Sequence, residues 1–413
     1  MTSFFKKETP WALSWGLLFC FSQIFICLVL APKSDSFQSL YLKLNQWDSA
    51  HYAQIAEQGY HLPPGVLTAQ DIHSGRANVT FFPGFPLASR ITQVVFGVST
   101  PLALLITAQC FCLLFWTQFF LLLRYWKKSR QLVLKTGLRV ALYPGSFFMV
   151  VGYSESLFLA SLMGLIYGTE RWMDSHPKGK VNLNWLLASF SGFCLSMTRL
   201  VGMPLFIYPI IRSFSFSLKL KPKIYKKIQL GALFLSFFTA LGGALFLIHC
   251  QLKFKQWDLY FKLGKIGWGN EPHYLSLLNP LSYLPRLFFE DTTISVCKIS
   301  SLFILILFFF CYRVELIEKR GIKFRLGIYI SAFFLFFIPL AGKIAHQLEG
   351  MVRYNLPVFI LLVLAVSNLG PLSETFFLKK WMTHRGLRTA GLILSLVTQI
   401  WMILVFTRGG WVA

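Results

Sequence analysis

Residues 11–31 read WALSWGLLFCFSQIFICLVLA, without a charged side chain from end to end. At 1.5 Å per residue, a helix of about 20 residues crosses ~30 Å of hydrocarbon. Pro101 to Leu123 and Leu230 to Cys250 repeat the pattern. In lipid every backbone polar group has to bond within its own segment, so each run has to be a helix. Composition agrees: the 413 residues are 55% hydrophobic and 14% charged, where a soluble domain carries about 25% charged residues. The chain is therefore expected to be an all-α polytopic membrane protein, with no soluble domain and no internal repeat.

The formal net charge is +24. In a soluble chain that would suggest nucleic acid. Here the charge lies in short clusters between apolar runs, so membrane lipids with anionic headgroups are the expected partners and nucleic acid is not. The clusters run from Arg124 to Arg139, Arg212 to Lys227, Arg313 to Arg325 and Lys379 to Arg388. The positive-inside rule puts all four, and the N-terminus with Lys6 and Lys7, in the cytoplasm. Lys6 and Lys7 before an apolar run resemble a signal sequence. That run is long for one, and no small-x-small site follows, so it is expected to be an uncleaved first span.

These signs fix a topology. Span 11–31 leads to a long outer loop, 32–99, and 100–123 returns. Leu138 to Gly168 and Asn184 to Ile211, separated by a small loop with Arg171, Lys178 and Lys180, each have to go out and come back as two short helices. Their turns are expected near Gly152-Tyr153-Ser154 and Arg199-Leu200-Val201-Gly202. Such interrupted helices are tolerated where they line a cavity. Spans at 230–250, 299–312, 325–342, 353–370 and 389–407 bring the total to about eleven in one domain, 1–413, with a second outer loop at 251–298. Most of the eight cysteines fall inside apolar runs as small hydrophobes, and no Cys/His metal spacing occurs. Cys250 and Cys297 flank the second outer loop and could pair.

The first outer loop contains Trp47-Asp48-Ser49-Ala50-His51-Tyr52-Ala53-Gln54-Ile55-Ala56-Glu57-Gln58-Gly59-Tyr60. Tyr52, Ile55, Ala56 and Gly59 share one helical face, while Asp48 and His51 lie a turn apart on a neighbouring one. This predicts an interfacial helix with its apolar side in lipid and its polar start at a site. Asp48 could cap that helix or do chemistry. Glu155 and Arg199 are ionisable groups in apolar surroundings, which marks a cavity lining or an ion pair between the two. Lys343, His346, Glu349 and Arg353-Tyr354 form a last group, either functional or snorkelling at the interface.

The pattern Trp47-Asp48-x-x-His51-Tyr52-x-x-Ile55-Ala56-x-x-Gly59-Tyr60 resembles the hallmark of the PIG-V family, which supplies the second mannosyltransferase of GPI-anchor assembly and has prokaryotic relatives. Phe81-Phe82-Pro83-Gly84-Phe85-Pro86-Leu87, Tyr153-Ser154-Glu155-Ser156-Leu157-Phe158, Thr198-Arg199-x-x-Gly202, Arg353-Tyr354 and Gly410-Trp411-Val412-Ala413 are similar in type and order. The resemblance implies a GT-C fold, a helical bundle with its site at the extracytoplasmic membrane surface. It implies a polyprenyl-phosphate sugar donor and a glycolipid or lipid-linked acceptor, in a bacterial inner membrane or the endoplasmic reticulum. By it Asp48 is the candidate base, with His51 tuning it, and Trp47, Glu155, Arg199, Lys343, His346, Arg353 and Tyr354 are candidates for binding substrate. The chemistry is coherent: inverting transfer needs one carboxylate for the acceptor hydroxyl and positive charge for the leaving phosphate. No nucleotide-sugar fold or Asp-x-Asp motif occurs, so neither a nucleotide donor, nor a cofactor, nor an obligatory metal is expected. The rival readings are a transporter or flippase of lipid-linked intermediates and a non-catalytic assembly subunit.

Overall fold

The computed structural model describes residues 2–175, 182–217, 222–270, 295–318, 322–343, 348–367 and 385–412. His346, Ala413, most of the second outer loop and several basic residues (Lys178, Lys180, Lys219, Lys221, Lys319, Arg320, Lys379 and Lys380) lie outside them.

Every regular element among the described residues is helical. Helix α1 (Thr2–Leu30) leads into the first loop, which folds as α2 (Phe37–Leu42), α3 (Asp48–Gln58), α4 (Ala69–His73) and α5 (Gly84–Phe96). Next come α6 (Thr100–Tyr125), α7 (Arg130–Ala141), a 3₁₀ helix (Pro144–Met149) and α8 (Glu155–Ser175). Then follow α9 (Leu183–Thr198), a second 3₁₀ helix (Leu200–Phe206), α10 (Ile207–Ser217), α11 (Pro222–Phe254) and α12 (Leu259–Trp268). The last described helices are α13 (Val296–Glu318), α14 (Ile322–Lys343), α15 (Met351–Ser367) and α16 (Arg385–Thr407).

Six of these, α1, α6, α11, α13, α14 and α16, are long and apolar enough to cross a membrane; Leu200–Phe216 and Met351–Ser367 are shorter apolar helices. Helix α8 has the length but carries Glu155, Glu170, Arg171 and Asp174. It tolerates them because it is the centre of the bundle: every residue from Ser154 to Met173 is buried, so protein rather than lipid surrounds it. The chain breaks where turns were expected, at 150–154 before α8 and at Arg199 (φ −153°, ψ 141°) after α9.

Small residues let the central helices touch. A Cβ on Gly164 or Gly168 of α8 would stand 2.2 Å from Ser191 Oγ or 2.8 Å from the Ala188 nitrogen of α9. One on Gly192 would stand 2.1 Å from Thr239 of α11. Such close approach is how helices associate where apolar burial gives little drive. Outside, α1 exposes Leu17, Phe21, Phe25 and Val29 at a spacing of four, a lipid-facing stripe.

Two expectations need correction. The apolar face of α3 does not lie in lipid: Tyr52, Ile55 and Ala56 are buried within the protein, Tyr52 against Phe81 and Phe85. The helix of this loop with an uncovered apolar face is α5, exposing Leu87, Ile91, Val94 and Val95. Periodicity marks an apolar face without saying what covers it. Cys250 and Cys297 do not pair; all eight cysteines are free, and these two belong to separate parts of the core.

Charges gather at the two ends of α8. At its C-terminal end Arg212 Nε and Nη2 donate to Glu170 (2.5 and 2.8 Å), Tyr208 donates to Glu170 (2.9 Å), and Tyr125 donates to Asp174. The same end of α6 carries Arg124, which is bonded to Glu8 (2.9 Å). Glu155 stands at the other end, about 22 Å away along the helix axis. Removing one member of a buried pair strands the other at a cost of about 3–5 kcal/mol. Arg212→Met is therefore expected to lower the thermal midpoint in detergent sharply, and the double variant Arg212→Met/Glu170→Leu to recover most of the loss. An unchanged midpoint in the single variant would show the pair to be idle.

Candidate active site

Four chain segments meet at the Glu155 end. The first residue of α3 supplies Asp48. Helix α8 starts at Ser154-Glu155, the break after α9 supplies Arg199, and the first turn of α15 supplies Arg353 and Tyr354. Anionic groups suit the positive N-terminal ends of α3 and α8. Arg353, also near a helix N-terminus, is held there by the carboxylates and aromatic rings around it.

The side chains form one chain of contacts. Arg353 Nη1 donates to Asp48 Oδ2 (2.6 Å), and Arg353 Nε stands 3.0 Å from Glu155 Oε1, an ion-pair contact off hydrogen-bond angle. Arg199 Nη2 donates to the same Glu155 oxygen, and Arg199 Nε donates to Ser154 Oγ (3.2 Å). Tyr52 Oη and Ser154 Oγ share a hydrogen bond of 2.9 Å. Both guanidinium carbons lie 5.4 Å from the centre of the Tyr354 ring, and that of Arg353 lies 5.2 Å from Tyr153, within cation–π range. The Oε2 atom of Glu155 is buried with no hydrogen-bond partner among the described residues.

Capping does not explain Asp48. It is the first helical residue, the cap position is Trp47 with no side-chain cap bond, and the Asp48 carboxylate is spent on Arg353. The chain around it is pressed onto the α8 approach: Ser49, the next residue, donates its Oγ hydrogen to the Gly152 carbonyl (3.0 Å). A Cβ on Gly152 would stand 1.9 Å from Asn45 Oδ1, so a larger residue there would have to displace the Asn45 side chain.

Asp48, Tyr52, Arg199, Arg353 and Tyr354 line a cavity of about 180 Å³, closed on its other sides by residues such as Phe81, Phe82, Tyr260, Trp268, Pro339 and Gly342. Glu155 and His51 are not among the lining residues. Glu155 orients the two arginines, while the His51 ring stacks on Phe81 (centroids 5.0 Å apart). Lys343 ends α14, next to the lining residue Gly342. Trp47 bonds Gly410 and is half exposed. Sequence reasoning missed Ser154 as the link between Tyr52 and Arg199, and it missed the α12 residues Tyr260 and Trp268, for which the sequence carried no signal. Among the described residues no three His, Cys, Asp or Glu side chains are placed to hold a metal ion.

Burial holds the His51 imidazole below its usual 6.5; nearby Asp48 opposes this and His73 adds to it. The neutral ring is thus favoured in the folded state. The unfolded chain takes up a proton below about pH 6.5 and the folded one does not, so stability is full above that pH and falls beneath it, by at most about 1.4 kcal/mol per pH unit for one proton. His51→Phe is expected to flatten that part of the pH–stability curve in detergent; an identical slope in the variant would refute the assignment.

No protein-family model and no curated protein matches the chain. Among solved structures it is similar to the Archaeoglobus fulgidus oligosaccharyltransferase in the apo form, with 12% identity and a TM-score of 0.49, over 97% of this chain and 56% of that one. It is also similar to the Archaeoglobus fulgidus oligosaccharyltransferase AglB in complex with an inhibitory peptide and a dolichol-phosphate, with 11% identity and a TM-score of 0.45, over 99% of this chain and 56% of that one. The chain thus spans little more than half the length of those proteins.

Proposed function

We propose that this protein is an integral-membrane glycosyltransferase of the PIG-V type. It would move a hexose, mannose by the sequence resemblance, from a polyprenyl-phosphate donor to a glycolipid or lipid-linked acceptor, with inversion. The observation that carries the reading is the Asp48–Arg353 contact at the cavity wall: a carboxylate and a guanidinium in one recess, beside a second guanidinium. The acceptor hydroxyl attacks the anomeric carbon, the bond from that carbon to the phosphate oxygen breaks, and polyprenyl phosphate leaves with the bonding electrons. Asp48 takes the hydroxyl proton. Arg353 and Arg199 meet the charge that builds on the departing phosphate. Their shared anchor, the Glu155 Oε1 atom, holds the two forks side by side, each within cation–π range of Tyr354. His51 acts through Phe81, shaping the wall rather than exchanging protons.

The position of the charges favours transfer over transport. A carrier's site is expected near the bilayer midplane, whereas the middle of α8, Leu159 to Gly168, is close-packed and carries no charge. The reading keeps about eleven crossings, with α8 shielded by protein, a cytoplasmic N-terminus and an extracytoplasmic site.

Two experiments test this. With radiolabelled polyprenyl-phosphate-mannose and membrane lipids, the wild type is expected to make a labelled glycolipid. Asp48→Asn is expected to lose ~10²–10⁴-fold in rate while inserting normally; full turnover by that variant would remove Asp48 as the base. A cysteine at Ser74, which is exposed on the first loop, is expected to react with an impermeant maleimide in intact cells lacking other reactive thiols. Labelling only after lysis would invert the topology.

A further inference from the structure

Trp47 and Trp411 are 364 positions apart in sequence, yet their rings meet edge to face at 5.4 Å and 77°. Both rings are fixed. Trp47 Nε1 donates to the Gly410 carbonyl (3.2 Å). After α16 the chain folds back: Gly409 has φ +81°, the Gly410 nitrogen donates to the Val405 carbonyl (2.9 Å), and a Cβ on Gly410 would stand 2.5 Å from Val405 Cγ1. Buried Val412 pins the tail. Trp47 itself has φ 47° and ψ −107°, a conformation that residues with a side chain adopt only where their surroundings over-determine it, and one that clusters at functional sites. Even so, the two rings stay 47% and 43% exposed. Two oriented indoles, held at the expense of backbone strain, stay partly exposed, one of them on the residue next to the candidate base.

We propose that Trp47 and Trp411 form a stacking platform for a sugar ring of the acceptor, so that the acceptor is a carbohydrate rather than a bare lipid hydroxyl. The proposal rests on the glycosyltransferase reading for its place in the reaction. A pyranose has a face of C–H groups that carries slight positive charge and is weakly hydrated, and an indole face is its electrostatic complement. The geometry also suits the displacement. In an inverting transfer the attacking hydroxyl and the leaving phosphate stand on opposite sides of the anomeric carbon, with the base on the hydroxyl's side. Asp48 follows Trp47 in the chain and reaches Arg353 with its carboxylate. The acid is thus next in the chain to one ring of the shelf and bonded to one of the two guanidiniums. Neither tryptophan lines the cavity that Arg199 and Arg353 share, so a ring on the platform would leave the phosphate side open.

The test needs no donor. The full chain in phosphatidylcholine–phosphatidylglycerol nanodiscs is mixed with methyl α-D-mannopyranoside, methyl β-D-glucopyranoside or methyl β-D-galactopyranoside, and saturation transfer from aromatic protons to the sugar C–H protons is read by NMR. At least one sugar is expected to give a signal, reduced at least about fivefold in Trp47→Leu and in Trp411→Leu and largely kept in Trp411→Phe, which retains a ring. Thermal melting checks that each variant is folded; if a Leu variant is not, Trp47→Phe and the Trp411→Phe/Trp47→Phe double variant give the comparison, with a graded loss expected. No signal from any sugar, or signals insensitive to both tryptophans, would overturn the platform and leave the pair as an interfacial anchor. The two readings fail separately: sugar binding without transfer activity counts against the transferase, and transfer whose acceptor KM ignores both tryptophans counts against the platform.

Discussion

The guanidinium of Arg353 is the point on which the site's architecture turns. It is buried, and it joins Glu155 of α8 to Asp48 of the first loop, which is 305 positions away from it in the sequence. In an apolar bundle no one of these groups could stay ionised alone at tolerable cost. Each is tenable only because the others are there, so the starts of α3, α8 and α15 and the break after α9 are obliged to meet. Glu170 and Arg212 impose the same obligation at the other end of α8. The middle of that helix then has only packing to satisfy, which its glycines do by letting α9 come close.

Charge balance has a chemical consequence under the proposed function. Two carboxylates and two guanidiniums already balance one another in charge, so a donor phosphate does not simply fill an empty cationic pocket. It has to enter by exchange, taking up donors that now face Asp48 and Glu155. The contact most open to exchange is Arg353 to Asp48, since both line the cavity and Glu155 does not. A phosphate drawing Arg353 toward itself would release the carboxylate to accept a proton. Binding of the donor and readiness of the base would then be one event, and a carboxylate that stays clamped without donor would not activate water in its place.

Much of this was legible in the sequence because lipid is an unforgiving solvent. Long uncharged runs have to be helices, and an ionisable residue among apolar neighbours has to have a partner. That logic singled out Glu155 and Arg199, while Asp48 stood out by its place in the first-loop motif and Arg353 by its place in the last outer group. It allowed the Glu155–Arg199 ion pair that the structure forms, but not the link from Arg353 to Asp48, because contacts across hundreds of residues leave no local periodicity. It also misjudged what is local. The spacing made Asp48 a fair cap and α3 a lipid-facing helix, yet the carboxylate turned to Arg353 and the apolar face was taken by Phe81 and Phe85. Length and composition similarly pass over α8 as a span, since its charges look prohibitive until their partners on α10 and α15 are in view. Local rules fail at these places because tertiary partners outbid them, and such conflicts are expected where a fold carries a site.

The position of the site along α8 bears on the kind of work the protein can do. A carrier has to expose one binding site to both sides in turn, and is built with polar groups and interrupted helices near the midplane. Here the interruptions at 150–154 and at Arg199 lie at the level of Glu155, at one end of the helix. The stretch from Leu159 to Gly168 below them is buried and in tight contact with α9. A polar headgroup moving along that path would have to part helices whose glycines are already in contact. The same arrangement suits group transfer well: a recess at one end of α8, walled by α12 and the first loop, above a packed core that has no need to part.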